Sequence, residues 1–295
     1  MRLSPWLVLP LCWLTACSVT PPAPPAEPPL HQLRPVEVDA LLGRLQQEQP
    51  LLRERVSQLA RRFIGQPYEL YLLGEFPFEL HDPQPLFNLE RSDCVVFVEH
   101  VYAMALSRDW AEFFWMLQRI RYRDGVIGVT TRNHYTEADW LPSNRWLLAD
   151  LTEQLLPGAA LPYSLQVDRE RFFRDRYRLQ VSLPVQRWND HYLPHARTAE
   201  VLGQLQAGDF VAVVTGKGEG RWVSHVGLVV VGADGERRLL HSAAPQVREE
   251  RFADFIASRK DKGLQGFKFL RLNEQAEPPP MAPQPRPQPL PRLPK

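Results

Sequence analysis

The chain has 295 residues, of which 44% are hydrophobic, and it carries 35 basic against 34 acidic residues. This length and apolar content can bury a sizeable core as one large domain or two small ones, which argues against a disordered protein. Because the formal net charge is only +1, no overall positive field is present to hold a polyanion, and nucleic acid is not an expected partner.

The N-terminal residues MRLSPWLVLPLCWLTAC have the pattern of a bacterial lipoprotein signal peptide. Arg2 supplies a positive charge, the apolar run that follows is too short to span a membrane, and the pattern ends in LTAC. We expect cleavage within residues 1–17 to leave Cys17 as a lipidated N-terminus. The alternative is an ordinary secretory signal that contains a cysteine. By analogy with lipoproteins of Gram-negative bacteria, Ser18 indicates sorting to the outer membrane, facing the periplasm.

Two proline-rich segments flank the rest of the chain. Residues 18–35 predict an extended, semi-rigid spacer, because proline is excluded from helix interiors and cannot donate in a sheet. Residues 275–295 have a similar composition with added basic residues. They fit a linker, a polyproline ligand or a solvated tail, and we favour the solvated tail. The folded domain is therefore predicted over residues 36–274.

The hydrophobic pattern of this domain changes midway along the chain. Apolar residues at three-and-four spacing predict helices within 38–49, 50–65 and 109–122. Short β-branched runs then predict strands at 177–183, 209–216, 225–232, 237–243 and 267–272. Helices followed by an antiparallel sheet predict an α+β domain.

Cys94 is the one thiol that remains once Cys12 leaves with the signal peptide and Cys17 carries lipid. The apolar run after Cys94 is too long for a typical strand and predicts a mostly buried helix, with Ser92 or Asp93 as its N-cap. A cysteine in the first helical turn is expected to have a lowered pKa and to be a good nucleophile, and the free amides there suit an oxyanion. A buried packing cysteine is the alternative interpretation.

A nucleophilic cysteine needs a base, and His225 is the best placed of the histidines. It opens the most apolar predicted strand, and His241 lies on the next strand. A two-residue turn between the strands would put the two imidazoles on opposite faces, whereas a longer loop or a bulge would align them. His100 lies six residues along the helix from Cys94, about 240° around the axis, and points away.

His191 and His195 have a spacing that suits a metal site. Pro194 between them argues against a regular helix that presents both side chains on one face. We interpret the two histidines as surface loop residues.

Five stretches together resemble the NlpC-type cysteine amidases and peptidases of bacterial cell walls, a permuted papain-like group: GQPYELYLLGE, SDCVVFV, LQAGDFVAV, SHVGLVV and LLHSA. The segment RYRDGVIGVTTRNHYTEADWLPSN is similar to the N-acetylmuramoyl-L-alanine amidase-like branch of that group. The similarity extends from about Gly65 to Leu272. It implies a permuted papain-like cysteine peptidase fold with a helical N-terminal half packed on an antiparallel sheet.

The resemblance implies roles for individual residues. Cys94 would be the nucleophile, His225 the base, His241 the group that orients the base, and Tyr68 a residue that binds the oxyanion or positions the carbonyl. The branch-specific segment is similar to the part of the family that shapes the sugar site, where five side chains would supply hydrogen bonds and an aromatic face: His134, Tyr135, Asp139, Trp140 and Asn144. The alternative is that these five residues only close a long loop onto the core.

The implied function is hydrolysis of the bond between N-acetylmuramic acid and L-alanine in peptidoglycan fragments (muropeptides), including 1,6-anhydro forms. This activity needs no cofactor and no metal. Three alternatives stay open: a peptidase of the same fold that cuts between γ-D-glutamate and diaminopimelate, a zinc site built from Cys94, His225 and His241, and a non-catalytic muropeptide-binding lipoprotein.

Overall fold

Helices dominate the first part of the chain and strands the second, in a computed structural model that describes residues 27–288. The predicted helices are confirmed. The α-helices are α1 (Pro35–Glu48), α2 (Leu52–Arg62), α3 (Cys94–Ala105), α4 (Trp110–Arg121), α5 (Leu141–Ser143), α6 (Thr152–Leu155), α7 (Arg169–Tyr177) and α8 (Phe252–Arg259). Short 3-10 turns and one π turn, Thr136–Trp140, connect several of them.

An antiparallel sheet is formed by strands β1 (Leu148–Asp150), β2 (Leu161–Val167), β3 (Gln186–Pro194), β4 (Phe210–Thr215), β5 (Trp222–Val231), β6 (Arg237–Ala243), β7 (Gln246–Arg251) and β8 (Leu264–Leu272). The strand order is β2-β3-β8-β4-β5-β6-β7, and β1 also pairs with β8. Strands β5, β6 and β7 are therefore neighbours at one end of the sheet.

The sheet is covered on both faces. Helices α1 to α4 pack on one face, where α3 lies against β5 and β6. The other face is covered by α8, whose Phe252 and Phe255 pack against Phe267 and Phe269 of β8. This is the α+β arrangement expected from the sequence. It places the N-terminus of α3 beside the strands that carry His225 and His241.

The predicted strands correspond to β4, β5, β6 and β8, with one exception. The strand predicted at 177–183 is wrong, because Tyr177 is the last residue of α7 and Arg178 follows in the left-handed region with φ 57°. The sequence pattern also missed β1, β2, β3 and β7, of which β2 and β3 pair with each other. In β2 the apolar residues do alternate with Pro162, Ser164 and Gln166, but the proline argued against a strand, whereas β3 is mostly polar and its period-two apolar pattern is weak.

The N-terminal boundary of the domain lies earlier than predicted. Leu30 is completely buried in the main core, and Glu27 forms ion pairs with Arg44 of α1 and Arg62 of α2. Residues 27–34 therefore belong to the domain, and the spacer interpretation applies at most to residues 18–26. Those residues lie outside the described part of the chain, as do the predicted signal peptide and Cys17.

The described part of the proline-rich tail packs back onto the domain. The backbone N–H of Ala282 donates to the carbonyl of Asp124 at 3.0 Å, and that of Gln288 donates to the carbonyl of Pro77 at 2.8 Å. Gln284 donates to the carbonyl of Gly125 at 2.7 Å. These bonds hold the segment against the domain, although most of residues 275–288 remain exposed to solvent. Among the described helices, none is long and apolar enough to cross a membrane.

Candidate active site

Cys94 is the first residue of α3, as the sequence predicts. The Asp93 side chain caps the helix by accepting hydrogen bonds from the backbone N–H groups of Val95 at 2.9 Å and Val96 at 2.8 Å. Of the two predicted caps, Asp93 is thus the one used, because its carboxylate satisfies two amides that α3 leaves unpaired. Cys94 is a free thiol and is partly exposed.

The environment of the Cys94 sulfur differs from the predicted one. Burial, followed by the neighbouring Asp93 carboxylate, raises the pKa of Cys94 to about 12. Backbone N–H groups, including that of Val226 on β5, hydrogen-bond the sulfur and act in the opposite direction. The expectation of a lowered pKa is wrong, because desolvation and a like charge outweigh the helix terminus. The resting group at neutral pH is a thiol.

His225 and His241 share one face of the sheet. A loop of five residues joins β5 to β6, and Val231 pairs with Arg237. This register supports the longer-loop alternative and aligns the two histidines. A bulge at Ser224, where the pairing shifts from His225 opposite Val213 to Val223 opposite Val214, further adjusts the direction of His225. The His225 Nε2 and His241 Nδ1 atoms are 2.7 Å apart and hydrogen-bonded.

Phe255 of α8 covers one side of the two imidazoles. The Phe255 ring stacks on His225, with 18° between the planes, and meets the His241 ring edge-on at 5.5 Å. Burial lowers the pKa of both histidines, and that of His225 lies well below its usual value. Both rings are therefore neutral at pH 7. A neutral imidazole beside a neutral thiol can act as a base during attack.

Tyr68 lies beside Cys94, where the resemblance implies an oxyanion or positioning role. Its backbone N–H donates to the carbonyl of Pro245 at 3.0 Å, and it forms a parallel bridge with Ser92. Burial raises the pKa of the Tyr68 hydroxyl, and the neighbouring groups of Cys94 and Asp93 act in the same direction. The hydroxyl therefore stays protonated and can donate a hydrogen bond.

A buried set of hydroxyls joins the start of α3 to β6. Ser242 donates to the carbonyl of Ser92 at 2.9 Å, and the Ser92 hydroxyl donates to Gln66 Oε1 at 2.6 Å. These bonds hold the loop before Cys94 against the strand that carries His241. Sequence reasoning missed this role for Gln66 and Ser242, although both are within the stretches GQPY and LLHSA that carry the family resemblance.

Three of the five predicted sugar-site residues line surface clefts. His134, Tyr135 and Asp139 border a cleft of about 600 Å³ together with Arg169. The His134 ring packs on Phe172 at 4.8 Å, and its Nε2 atom bonds the carbonyl of Val129 at 2.6 Å. Asp139 accepts from the Tyr135 backbone N–H at 3.0 Å and pairs with Arg169. Tyr135 is thus the most available of the three.

The other two predicted sugar-site residues belong to the core. Trp140 is 1% exposed, donates from Nε1 to Glu99 at 2.9 Å and stacks on Phe210. Asn144 is completely buried and donates to the carbonyls of Ile120 and Trp140, both at 2.9 Å. Assigning these two side chains to a saccharide site is therefore wrong. They close the branch-specific segment onto the core, which was the alternative interpretation.

A polar cavity of about 280 Å³ lies against the first turn of α3. Its wall includes Asp93, Glu99, Arg121, Arg132 and Tyr177. Arg121 donates to Glu99 at 3.0 Å, and both Arg121 and Arg132 donate to the carbonyl of Leu73. The arginines are thus compensated by carboxylates and a carbonyl. Two charged residues, Glu99 in α3 and Arg121 in α4, stand among apolar neighbours in the sequence and could have indicated this wall.

A second groove, of about 580 Å³, begins three residues before His225 on β5. It is lined by Tyr135, Trp222, Gln166 and Arg221, among others. The Trp222 side chain is 53% exposed, and Glu137 accepts from the backbone N–H of the next residue at 2.8 Å. Sequence reasoning missed Trp222, although the sequence shows a tryptophan at the start of an otherwise apolar strand.

The two remaining histidines of interest do not form a metal site. His191 lies within β3, which corrects its assignment to a loop, and His195 begins a 3-10 turn after Pro194. Within residues 27–288, no group of three or more His, Cys, Asp or Glu side chains is arranged to hold a metal ion. The facing nitrogens of His225 and His241 are engaged with each other.

The fold is that of a permuted papain-like α+β protein, and the start of α3 lies against β5, the strand that carries His225. A family model for N-acetylmuramoyl-L-alanine amidase-like proteins matches residues 58–264, and the chain belongs to this family. A comparison with curated proteins finds no match.

Solved structures extend the similarity to most of the chain. An N-acetylmuramoyl-L-alanine amidase from Bacteroides uniformis is 25% identical, with a TM-score of 0.61 over 75% of this chain and 99% of its own. A Legionella pneumophila protein has a TM-score of 0.72 at 21% identity, over 84% of this chain and 96% of its own, and shows the fold alone. Family and neighbours indicate an amidase-like protein that acts on peptidoglycan.

Proposed function

We propose that the protein is a cysteine amidase that hydrolyses the N-acetylmuramoyl-L-alanine bond of muropeptides, including 1,6-anhydro forms. The observation that carries the proposal is the contact at the start of α3, where the backbone N–H of Val226, the residue after His225, hydrogen-bonds the Cys94 sulfur while His225 bonds His241. This arrangement supports a nucleophile, a base and a group that orients the base. Membership of the amidase-like family supports the choice of bond.

The reaction begins with the Cys94 thiol and the His225 imidazole both uncharged. As the Cys94 sulfur attacks the lactyl carbonyl carbon, the thiol proton passes to Nδ1 of His225, the ring nitrogen that is not engaged with His241. The resulting imidazolium returns this proton to the nitrogen of L-alanine, and the C–N bond breaks. A thioester to the muramyl lactyl group remains. Water, deprotonated by His225, then hydrolyses the thioester and regenerates the thiol.

Negative charge on the carbonyl oxygen needs donors at the start of α3. We assign this role to the backbone N–H of Cys94 and to the hydroxyl of Tyr68, which lies near Cys94. The raised pKa of Tyr68 keeps its proton in place for this purpose. The Cys94 N–H belongs to the first turn of α3 and is fixed before substrate binds, so this donor needs little reorganisation at the transition state.

The grooves around Tyr135 suit an amphipathic substrate. We assign the saccharide to the groove between Tyr135 and Trp222, because exposed aromatic faces pack against the apolar faces of sugar rings while Gln166 and Arg221 supply hydrogen bonds. We assign the stem peptide to the polar cavity beside Asp93, whose mixed charges match peptide amides and carboxylates.

We further propose that the protein is a lipoprotein anchored through Cys17 to the outer membrane and facing the periplasm. The motif LTAC and the following Ser18 support this proposal. A nine-residue spacer, 18–26, would extend roughly 28 Å if it formed a polyproline helix. Metabolic labelling with a radioactive fatty acid tests the anchor. Label should enter the wild-type protein and be absent from Cys17→Ala.

Mass spectrometry of purified muropeptides after incubation with the protein tests the reaction. Release of free disaccharide together with an intact stem peptide supports the proposal. A cut between γ-D-glutamate and diaminopimelate would instead identify a peptidase of the same fold. Binding without any cleavage would identify a muropeptide-binding lipoprotein. Activity that disappears with a chelator and returns with zinc would indicate the metal alternative.

A further inference from the structure

Glu250 extends the line of His225 and His241 by one strand. In the sheet, Leu239 of β6 lies opposite Glu250 of β7, and His241 lies opposite Arg248. Because side chains alternate between faces, Glu250 shares the face of His241. The His241 Nε2 and Glu250 Oε1 atoms are 3.1 Å apart. Three neighbouring strands thus contribute one side chain each to a continuous chain of hydrogen bonds.

The proton positions along this chain follow from Glu250. An ionised carboxylate only accepts, so His241 must carry its proton on Nε2 and leave Nδ1 as an acceptor. That acceptor faces Nε2 of His225, which must then be the protonated nitrogen. The lone pair of His225 is left on Nδ1. This is the nitrogen that takes the thiol proton in the proposed mechanism.

We propose that Glu250 is a positioning residue that fixes the tautomers of His241 and His225 and thereby keeps Nδ1 of His225 free to act as the base. The proposal rests on the proposed function for its kinetic consequence. The tautomers themselves can be measured without any substrate.

Glu250 is well suited to remain charged. Arg248 donates from Nε to the same Oε1 atom, and its Nη1 is anchored on the carbonyls of Ala243 and Ala244 at 2.9 and 3.1 Å. The hydrogen bond from His241, with added help from Arg248, lowers the pKa of Glu250 to about 2. The carboxylate is therefore ionised at every pH at which the protein would work.

Two cations face the histidine pair, and Glu250 is the carboxylate that offsets them. Arg248 lies opposite His241 on β7, and Arg259 of α8 lies over the Phe255 ring, 4.9 Å from its centroid. Both arginines lower the pKa of His225 and His241, whereas Glu250 raises it. Glu250 therefore also supports the imidazolium that forms when His225 accepts a proton.

Without the Glu250 carboxylate, His241 and His225 would no longer be held in one tautomer. His241 would then be free to hold its proton on Nδ1 and donate it to Nε2 of His225. His225 would in turn hold its proton on Nδ1, the position that must be empty for the thiol proton. No proton is gained or lost in this exchange, but the base is blocked. We expect kcat to fall at least about tenfold with little change in KM.

The test compares Glu250→Ala, Glu250→Gln and Glu249→Ala with the wild type. Glu249 is the matched control, because its side chain is 18% exposed like that of Glu250 and also pairs with arginines, Arg61 and Arg238. In Glu250→Gln the amide oxygen can keep the place of Oε1, since Arg248 requires an acceptor there. This variant should therefore keep the wild-type tautomers and lose less of kcat than Glu250→Ala, since only the charge is removed, and Glu249→Ala should retain all of kcat.

Nitrogen-15 NMR of the ring nitrogens supplies the readout that a merely structural role would not change. In the wild type, both His225 and His241 should be protonated on Nε2, and Glu250→Ala should shift the population toward Nδ1. Wild-type tautomers on Nδ1 would overturn the proposal even if the alanine variant failed to fold. So would a folded Glu250→Ala protein with unchanged tautomers and unchanged kcat. If the wild type left muropeptides intact, the proposed function would fail while the NMR result still decided this inference.

Discussion

Gly227 and His241 lie so close across strands β5 and β6 that a side chain at position 227 would displace the histidine. A Cβ atom on Gly227 would approach the Cβ of His241 to 3.0 Å and the carbonyl oxygen of Leu240 to 2.9 Å. The close approach of the two strands therefore explains why the stretch SHVG has glycine at position 227. Its missing side chain leaves room for the His241 imidazole to reach His225.

Gly227→Ala should impair the site more than it impairs the fold. Overpacking at such a position typically costs about 1–3 kcal/mol, and here the shift falls on Leu239, Leu240 and His241 together. We expect a moderately lower free energy of unfolding in a denaturant titration and a fall in kcat of at least about tenfold. Gly203→Ala is the control, because a Cβ there meets no atom within 4 Å. Equal activity of the two variants would contradict the packing argument.

Cys94→Ser should abolish activity and leave the fold unchanged. The hydroxyl occupies similar space at the helix start, but it is a far weaker nucleophile than the sulfur. We expect kcat to fall at least about 10³-fold, with circular dichroism and melting temperature close to wild type. Cys94→Ala should behave in the same way. A serine variant that unfolds but keeps its activity per folded molecule would show that Cys94 is a packing residue.

Alkylation of Cys94 should report its raised pKa. With a pKa of about 12, the thiolate fraction rises about tenfold for each pH unit. The rate of reaction with iodoacetamide should therefore keep increasing from pH 7 to 10, whereas a free cysteine levels off above its pKa of about 8.5. Asp93→Asn keeps an oxygen for the helix cap and removes a charge, so its rates should be higher. A plateau near neutral pH would indicate a preformed thiolate.

Local sequence signals predicted the part of the site that depends on short-range structure. Asp93 before an apolar run indicated the start of α3, and β-branched runs indicated β5 and β6. The pKa of Cys94 could not be predicted in this way, since it depends on burial by residues distant in sequence. The helix terminus is a local feature, whereas desolvation is a property of the whole fold.

Side chains that contact each other only because of strand register could not be identified from the sequence. Glu250 lies in the run QVREER, whose charges look like those of an exposed strand, and only the pairing of β6 with β7 brings it to His241. Trp140 shows the opposite error. Its indole suggested a saccharide platform, yet a buried carboxylate, Glu99, accepts its N–H inside the core. The sequence shows which side chain is present, but it does not show whether that side chain faces the site, the core or solvent.

Trp222→Ala should weaken substrate binding without disturbing the reacting groups. Trp222 lies three residues before His225, about 10 Å along the strand, and over half of its side chain is exposed. Loss of one aromatic contact with a sugar ring should raise KM for a disaccharide peptide about tenfold and leave kcat nearly unchanged. Trp115→Ala on α4, also an exposed tryptophan, is the control. A fall in kcat at constant KM would move Trp222 out of the saccharide groove.

Acid should destabilise the fold through buried histidines, of which His100 gives the sharpest test. Its Nδ1 donates to the carbonyl of Val96 at 2.7 Å, Nε2 accepts from the Asn88 N–H at 3.4 Å, and burial lowers its pKa to about 4. Between pH 6.5 and 4, His100 therefore binds a proton in the unfolded chain but not in the folded protein. Stability is complete above pH 6.5 and declines as the pH falls toward 4, by about 3 kcal/mol for a shift of this size.

Chemical denaturation across this pH range measures the effect. The free energy of unfolding of His100→Gln, which keeps a donor for Val96, should decline less steeply than that of the wild type. His81→Gln, at an exposed position, should follow the wild-type curve. The remaining decline in His100→Gln is assigned to His134, His225 and His241, whose pKa values burial also lowers. Parallel curves for His100→Gln and the wild type would mean that His100 is protonated in the folded protein, which its two hydrogen bonds do not allow.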